Sequence, residues 1–328
     1  MSITPSFENK SIETVRWGVI GAASFVANAA VIPAIIADPG SQLAAYATLS
    51  GGSGLPAERA GAKRFADYAS LIGSGEVDAV YVALPNSLHL PVVSMAVAAG
   101  VPALCEKPLA LDAGEVSAIA EMAAAHHVLV GEAYMTQFHL RDRKFRSYIL
   151  DGEVGRIEEI EAEFTFELAT GDNYRWKRSM GGGALLDVGI YLLDPILELA
   201  GATPRIDRVE RKLAGDVDLE TAVELSFDSG LGARVLASFV RPERQRLRTH
   251  GTLGAVEMEN PFTPGPSDTD IRVERNGEES SLSTLPSNPY GVMVSEFAAS
   301  VRDGTPFRRP LDRSLAVARL LSQIAATR

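Results

Sequence analysis

Three side chains in this sequence have the chemistry needed to move a proton at a polar reaction centre. Asp187 and Tyr191 lie in Gly181-Gly182-Gly183-Ala184-Leu185-Leu186-Asp187-Val188-Gly189-Ile190-Tyr191. The apolar run after the glycines predicts a helix to about Ala200, closed by Gly201. That spacing puts carboxylate and phenol on one face, one turn apart. Polar groups in an apolar helix need partners. A local hydrogen bond for Asp187 and amphipathic packing for Tyr191 would meet that need, and so would a reaction site. The third side chain is Lys107, in Glu106-Lys107-Pro108, where the proline keeps it extended at a strand end. A phenol, whose pKa is ordinarily about 10, becomes a proton acceptor when an ammonium group lowers that value.

The elements that must position these groups read as follows. Val15 to Ile20 predicts a buried strand, Gly21-Ala22-Ala23-Ser24 a turn, and Phe25 to Ala37 a helix that stops at Asp38-Pro39-Gly40. Strand, glycine turn and helix open a dinucleotide-binding unit, although Gly21-x-Ala23 alters the usual Gly-x-Gly. Strands at 43–49, 79–84, 102–105 and 128–131 alternate with helices, which predicts a doubly wound parallel sheet over 15–132. Ligands of such sheets bind at the carboxyl ends of the strands, here Gly21 to Ser24, Ser50 to Ser53, Leu84 to Asn86, Glu106 to Pro108 and Glu132.

The remainder, 133–328, changes character. His139 to Asp151 predicts a helix whose cluster Arg141, Arg143, Lys144 and Arg146 reads as a solvated face. Alternation at 155–168, 205–213, 220–228 and 231–240 predicts a mainly antiparallel open sheet, with a hairpin at Asp228-Ser229-Gly230. Helices at 292–301 and 314–326 complete an α+β domain. Asn173-Tyr174-Arg175-Trp176 reads either as a flap or as a packed turn.

The 328 residues suggest two domains after a polar tail, 1–14. A net charge of −11 argues against nucleic acid as the main partner. No stretch has the apolar length of a membrane helix, and Met1 to Thr14 lacks a signal-peptide core. The single cysteine, Cys105, allows no intramolecular disulfide and reads as a small buried hydrophobe. These features point to the cytoplasm. His126-His127 has no second ligand pair, so no metal is expected.

The chain resembles the glucose–fructose oxidoreductase / inositol dehydrogenase / rhizopine-catabolism (Gfo/Idh/MocA) superfamily. The carriers are Val77-Asp78-Ala79-Val80-Tyr81-Val82-Ala83-Leu84-Pro85-Asn86-Ser87-Leu88-His89, Cys105-Glu106-Lys107-Pro108-Leu109-Ala110, Glu132-Ala133-Tyr134-Met135, and the glycine run through Gly189. Tyrosine at 191, where many relatives carry histidine, resembles the branch of glucose–fructose oxidoreductase, dimeric dihydrodiol dehydrogenase and NADP-dependent xylose dehydrogenase. Two departures fall in the cofactor region: one extra residue before Val31-Ile32-Pro33-Ala34, and a short segment from Gly51 to Ala60.

The resemblance implies an NAD(P)-dependent oxidoreductase that transfers a hydride between nicotinamide and a hydroxyl or keto carbon of a pyranose sugar or related polyol. It implies Lys107, Asp187 and Tyr191 as catalytic residues. Expected cofactor contacts are Gly21, Ala23, Ser24, Phe25, Ser50, Leu84, Pro85, Asn86, His89, Glu106 and Lys107. Expected substrate contacts are Lys107, Tyr134, Arg175, Trp176, Asp187 and Tyr191. The second strand ends without an acid until Glu58, so NADP is expected ahead of NAD. The open sheet is expected to join copies into a homo-oligomer. A ketoreductase for a nucleotide-linked keto sugar and a non-catalytic dinucleotide-binding regulator are the alternatives.

Overall fold

The computed structural model describes residues 13–49, 54–171 and 173–327. The chain divides into two compact units, Met1–Tyr134 with Tyr290–Leu315, and Met135–Pro289 with Ala316–Arg328.

In the first unit, β1 (Val15–Ile20), β2 (Ser41–Ala47), β3 (Lys63–Phe65), β4 (Ala79–Val82), β5 (Ala103–Glu106) and β6 (Val130–Ala133) form one parallel sheet. Its order is β3-β2-β1-β4-β5-β6. The central strand β4 is apolar throughout, and β1 is apolar apart from Arg16 near its start, because both faces are covered. The connecting helices are α1 (Ile32–Ala37), α2 (Pro56–Arg59), α3 (Tyr68–Ile72), α4 (His89–Ala98) and α5 (Ala113–His126). Strand order reverses between β1 and β4, and that reversal opens a crevice at their carboxyl ends.

The extra residue ahead of Val31 has a structural answer. Ala27–Val31 is a π-helical turn, with the Ile32 amide donating to the Ala27 carbonyl. Such a turn absorbs one more residue than an α-helical turn while keeping the helix continuous.

The sequence boundaries assign everything after 132 to the second domain, and here the structure differs. The segment Tyr290–Leu315 belongs to the first unit. Phe297, on α8 (Pro289–Asp303), lies 5.6 Å from the Trp17 ring, and Phe307 meets Phe297 edge-on at 5.2 Å. Trp17 and Phe297 are fully buried, so the sheet's core is closed by residues from the far end of the sequence.

In the second unit, α6 (Leu140–Leu150) leads to β7 (Ile157–Glu167), and α7 (Ala184–Ala200) to β8 (Arg205–Ala214), β9 (Val217–Ser226), β10 (Gly232–Ser238), β11 (Val240–Gly251) and β12 (Gly254–Glu259). A hairpin, β13 (Asp270–Arg275) and β14 (Glu278–Ser283), ends the eight-stranded sheet, ordered β14-β13-β12-β11-β7-β10-β9-β8. All pairings are antiparallel except β7 with β10. Helix α7 packs on β7, β9 and β10, over the buried Ile160, Ala162 and Phe164. The final helix is α9 (Leu311–Ala326).

The arginine cluster on α6 is not a solvated face. Arg143 and Lys144 are exposed, whereas Arg141, Asp142 and Arg146 are buried with Phe145 and Ile149. Arg146 donates to Asp142 at 2.7 Å and reaches Asp194 at 3.5 Å, and it also pairs with Glu198. Opposite charges supplied from α7 make an inward arginine tolerable.

Candidate active site

In the first unit the expected cofactor contacts converge on the carboxyl ends of three neighbouring strands. Ile20, Val82 and Cys105 stand level across β1, β4 and β5. The turn after β1 carries Gly21, Ala23, Ser24 and Phe25. Gly21 has φ +81°, and a Cβ there would lie 2.2 Å from the Ala83 carbonyl oxygen. The loop therefore lies directly on the end of β4, which only glycine allows. The Ser24 hydroxyl accepts from the Ala27 amide at 3.2 Å and starts the helix, while Phe25 is 87% exposed. Leu84 and Pro85 follow β4, and the buried Asn86 opens a 3₁₀ turn, Asn86–Leu88, into α4. This cradle fits a dinucleotide, whose pyrophosphate is received by a helix N-terminus above a close glycine turn. Ser50 lies outside the described residues.

Glu106 and Lys107 occupy the next strand end. Tyr81 donates to Glu106 Oε1 at 2.6 Å. Burial pushes the Glu106 carboxyl up to about 7, against the Tyr81 hydrogen bond and the nearby Lys107 charge, which both favour ionisation. The Lys107–Pro108 peptide is cis. His89, expected to touch the cofactor, is fully buried instead. Its Nδ1 lies 2.8 Å from the Pro108 carbonyl oxygen and its Nε2 2.9 Å from that of Leu84. The ring spans the ends of β4 and β5, with one nitrogen at each carbonyl. Burial lowers its pKa, opposed by the two carbonyl contacts. Tyr134, expected to touch substrate, is also fully buried, with the Arg309 guanidinium 4.5 Å above its ring.

In the second unit, the start of α7 is built by contacts from both sides. Gly183 has φ +114°, and a Cβ there would lie 2.1 Å from Asp218 Oδ1. Asp218, on β9, accepts from the Leu185 amide at 2.8 Å and the Thr221 hydroxyl at 2.9 Å, so it caps the helix from the sheet. Burial raises the Asp218 pKa, while those donors lower it. The 3₁₀ turn Tyr174–Trp176 packs against the same helix start, its Arg175 carbonyl accepting from the Gly183 amide at 3.1 Å. This is the packed-turn reading of that segment.

Asp187 is buried, and Arg175 donates to it from Nε at 2.6 Å. Burial disfavours the guanidinium charge, but the adjacent Asp187 carboxylate raises its pKa above the ordinary value. Tyr191 lies one turn further along, with ring centroids 5.7 Å from Phe164 and 6.1 Å from Phe262. Trp176 is half-buried and donates to the Ala169 carbonyl at 3.2 Å. Lys107 thus belongs to the first unit, and Arg175, Asp187 and Tyr191 belong to the second. Sequence reasoning did not find Asp218, the Tyr81–Glu106 bond or the Arg175–Asp187 pair. Only the last had a signal, a charged residue on each side of one glycine turn.

Residues 15–134 match the model of an oxidoreductase family with an NAD-binding Rossmann fold, and residues 143–257 match the GFO/IDH/MocA C-terminal domain. The chain belongs to this family. Two relatives are similar to it over most of its length. A dTDP-3,4-didehydro-2,6-dideoxy-alpha-D-glucose 3-reductase of Saccharopolyspora spinosa is 31% identical, over 89% of each chain. The D-xylose 1-dehydrogenase (NADP(+)) 2 of Haloferax volcanii is 29% identical, over 94% of this chain and 96% of that one. Among solved structures, a 3-ketoreductase from Actinomadura kijaniata, in complex with NADP and TDP-benzene, superposes with a TM-score of 0.88 at 26% identity, over 94% of this chain and 96% of that one. As a Gfo/Idh/MocA protein, the chain is an NAD(P)-dependent oxidoreductase. Among the described residues, no helix is long and apolar enough to cross a membrane.

Proposed function

We propose that this enzyme uses NADP, ahead of NAD, to interconvert a hydroxyl and a carbonyl on a pyranose sugar or related polyol. The observation that carries the reading is the buried pair at the start of α7: an arginine-held carboxylate, Asp187, one helical turn before the phenol of Tyr191. When bound, the nicotinamide supplies the hydride chemistry at its C4. Tyr191 takes the proton from the alcohol in the oxidising direction and returns it in the other. Lys107 supplies the ammonium charge that makes the phenol a usable base, and hydrogen-bonds the reacting oxygen. Asp187, fixed by Arg175, orients a neighbouring sugar hydroxyl. Turn residues Gly21 to Phe25 and strand ends Leu84 to Asn86 hold the dinucleotide.

The xylose dehydrogenase relative supports a free sugar as substrate. A second reading, reduction of a nucleotide-linked keto sugar, is favoured by the 3-reductase relative and the 3-ketoreductase structure. Nicotinamide absorbance, followed with NADP and then NAD against a panel of free pyranoses, separates the two. Turnover supports the dehydrogenase reading. Silence despite dinucleotide binding moves the assignment to a nucleotide-linked substrate, and silence there too leaves a regulator.

We further propose a cytoplasmic homo-oligomer joined through the open face of the eight-stranded sheet. That face is a ladder of alternating charge. Arg246 bridges Glu161 and Glu257 at 2.8 Å each, and Arg248 bridges Glu257 and Glu274 at 3.1 Å each. Neutralised rows of this kind can be covered at less desolvation cost than isolated charges. Light scattering of Arg246→Glu tests the assembly, with dissociation as the expected result.

A further inference from the structure

Glu132, at the end of β6, is a buried carboxylate with three donors. The Leu109 amide reaches Oε1 at 2.9 Å, and Arg309 Nε and the Ser314 hydroxyl reach Oε2 at 2.8 and 2.6 Å. Arg309 is 1% exposed and stacks over Tyr134. An ion pair this deep is a weak source of stability, because apolar residues of the same shape would serve as well or better. Its geometry suggests a different purpose.

Leu109 stands two residues after Lys107, in the turn that leaves β5. That turn is held at its start by Tyr81 on Glu106, in its middle by His89 on the Pro108 carbonyl, and at its end by Glu132 on the Leu109 amide. The first two holds are made within the consecutive strands and helices of the sheet. The third alone depends on Arg309 and Ser314, which the chain supplies 177 and 182 residues after Glu132.

We infer that Glu132, Arg309 and Ser314 form a positioning relay for Lys107, fixing through the Leu109 amide the turn that aims its ammonium group. The inference rests on the role proposed for Lys107. None of the three needs to touch substrate. Arg309 orients the carboxylate, the carboxylate fixes the amide, and the amide fixes the turn. A misplacement of about 1 Å at a reacting group costs on the order of 100-fold in rate, so a relay of this kind acts on turnover rather than on binding.

The test compares Arg309→Lys, which keeps the charge but loses the planar fork, with Ser314→Ala, which removes one donor from Oε2. Each is assayed well below its own melting temperature. Expected are a kcat loss of about 10–100-fold for Arg309→Lys and about 3-fold for Ser314→Ala. Sugar KM and NADP Kd should move less than about 3-fold, and the Leu109 amide should exchange faster with deuterium. A lower melting temperature with wild-type kcat in both variants would show an ordinary core contact and overturn the inference. Should Arg309→Lys fail to fold, the same split in Ser314→Ala decides. Lys107→Ala serves as the separating control. If it keeps full turnover, the role of Lys107 fails; if it is inactive while both relay variants keep full kcat, only the relay fails.

Discussion

Arg175 and Asp187 face each other across the glycine turn, Nε to Oδ2 at 2.6 Å, one from a short 3₁₀ turn and the other from the first turn of α7. The carboxylate is almost fully buried, whereas the guanidinium side chain keeps 29% of its surface exposed. The arginine thus pairs with the carboxylate while keeping part of its own side chain at the surface.

Replacing Arg175 by methionine removes the arginine partner of that carboxylate. The expected cost is about 2–4 kcal/mol of stability, read from the denaturant midpoint, together with a turnover loss on the order of 10–100-fold. Arg175→Lys should recover most of the stability and less of the turnover, because only a fork can hold both orientation and charge.

Glu106 should give the first unit a pH signature. Its carboxyl titrates near 7 in the folded protein, against an ordinary value of 4.5. The folded state therefore binds the proton more tightly than the unfolded chain. That contribution is fully present below pH 4.5 and is lost as pH rises through about 7, an upper bound of roughly 3 kcal/mol. Glu106→Gln should flatten this segment of the stability curve. Melting temperatures of both proteins between pH 4.5 and 8 check it, and parallel curves would refute the assignment.

The start of α7 should be intolerant of small changes. Gly183→Ala forces a Cβ against Asp218 in a backbone region that L-residues avoid, so a loss of at least about 3 kcal/mol is expected. Asp218→Ala removes the cap without a clash and should cost about 1–2 kcal/mol. Urea titrations rank the two, and the reverse order would contradict the geometry.

For the proposed chemistry, Tyr191→Phe should lower kcat by about 100–10,000-fold, the range of a lost acid–base group. Cofactor affinity should stay within about 3-fold, since the change removes only the phenolic oxygen from a ring held by Phe164 and Phe262. Stopped-flow hydride transfer and fluorescence titration of NADP separate the two quantities.

Much of the first sheet was legible because fully covered parallel strands are written as apolar runs, Ala79–Val82 most plainly. The helix carrying Asp187 and Tyr191 was equally plain, having glycines before it and Gly201 after it. The small elements were not: β3 spans three residues, Lys63–Phe65, and β14, Glu278–Ser283, has almost no apolar face. Arg146 misled because a charge run looks solvated unless its partners are known, and Asp194 lies on another helix. His89 and Tyr134 were found as members of recognisable motifs, but a motif does not say whether a side chain faces a ligand or the core. Which unit α8 joins was set by where Phe297 finds a cavity, and sequence spacing does not encode that.

The return of residues 290–315 to the first unit also has a consequence for the timing of synthesis. All six strands of the first sheet have been translated by Ala133, yet Arg309 follows Glu132 by 177 residues. At about 5–20 residues per second, roughly 9–35 s of elongation separate the two. During that interval Trp17 waits for Phe297 and a carboxylate destined for burial waits for its cation, while every strand of the second sheet is translated. The half of the protein made first is therefore completed only near the end of synthesis, at Leu315, and a ribosome stalled anywhere between the two leaves a nucleotide-binding sheet with an open core for chaperones to cover.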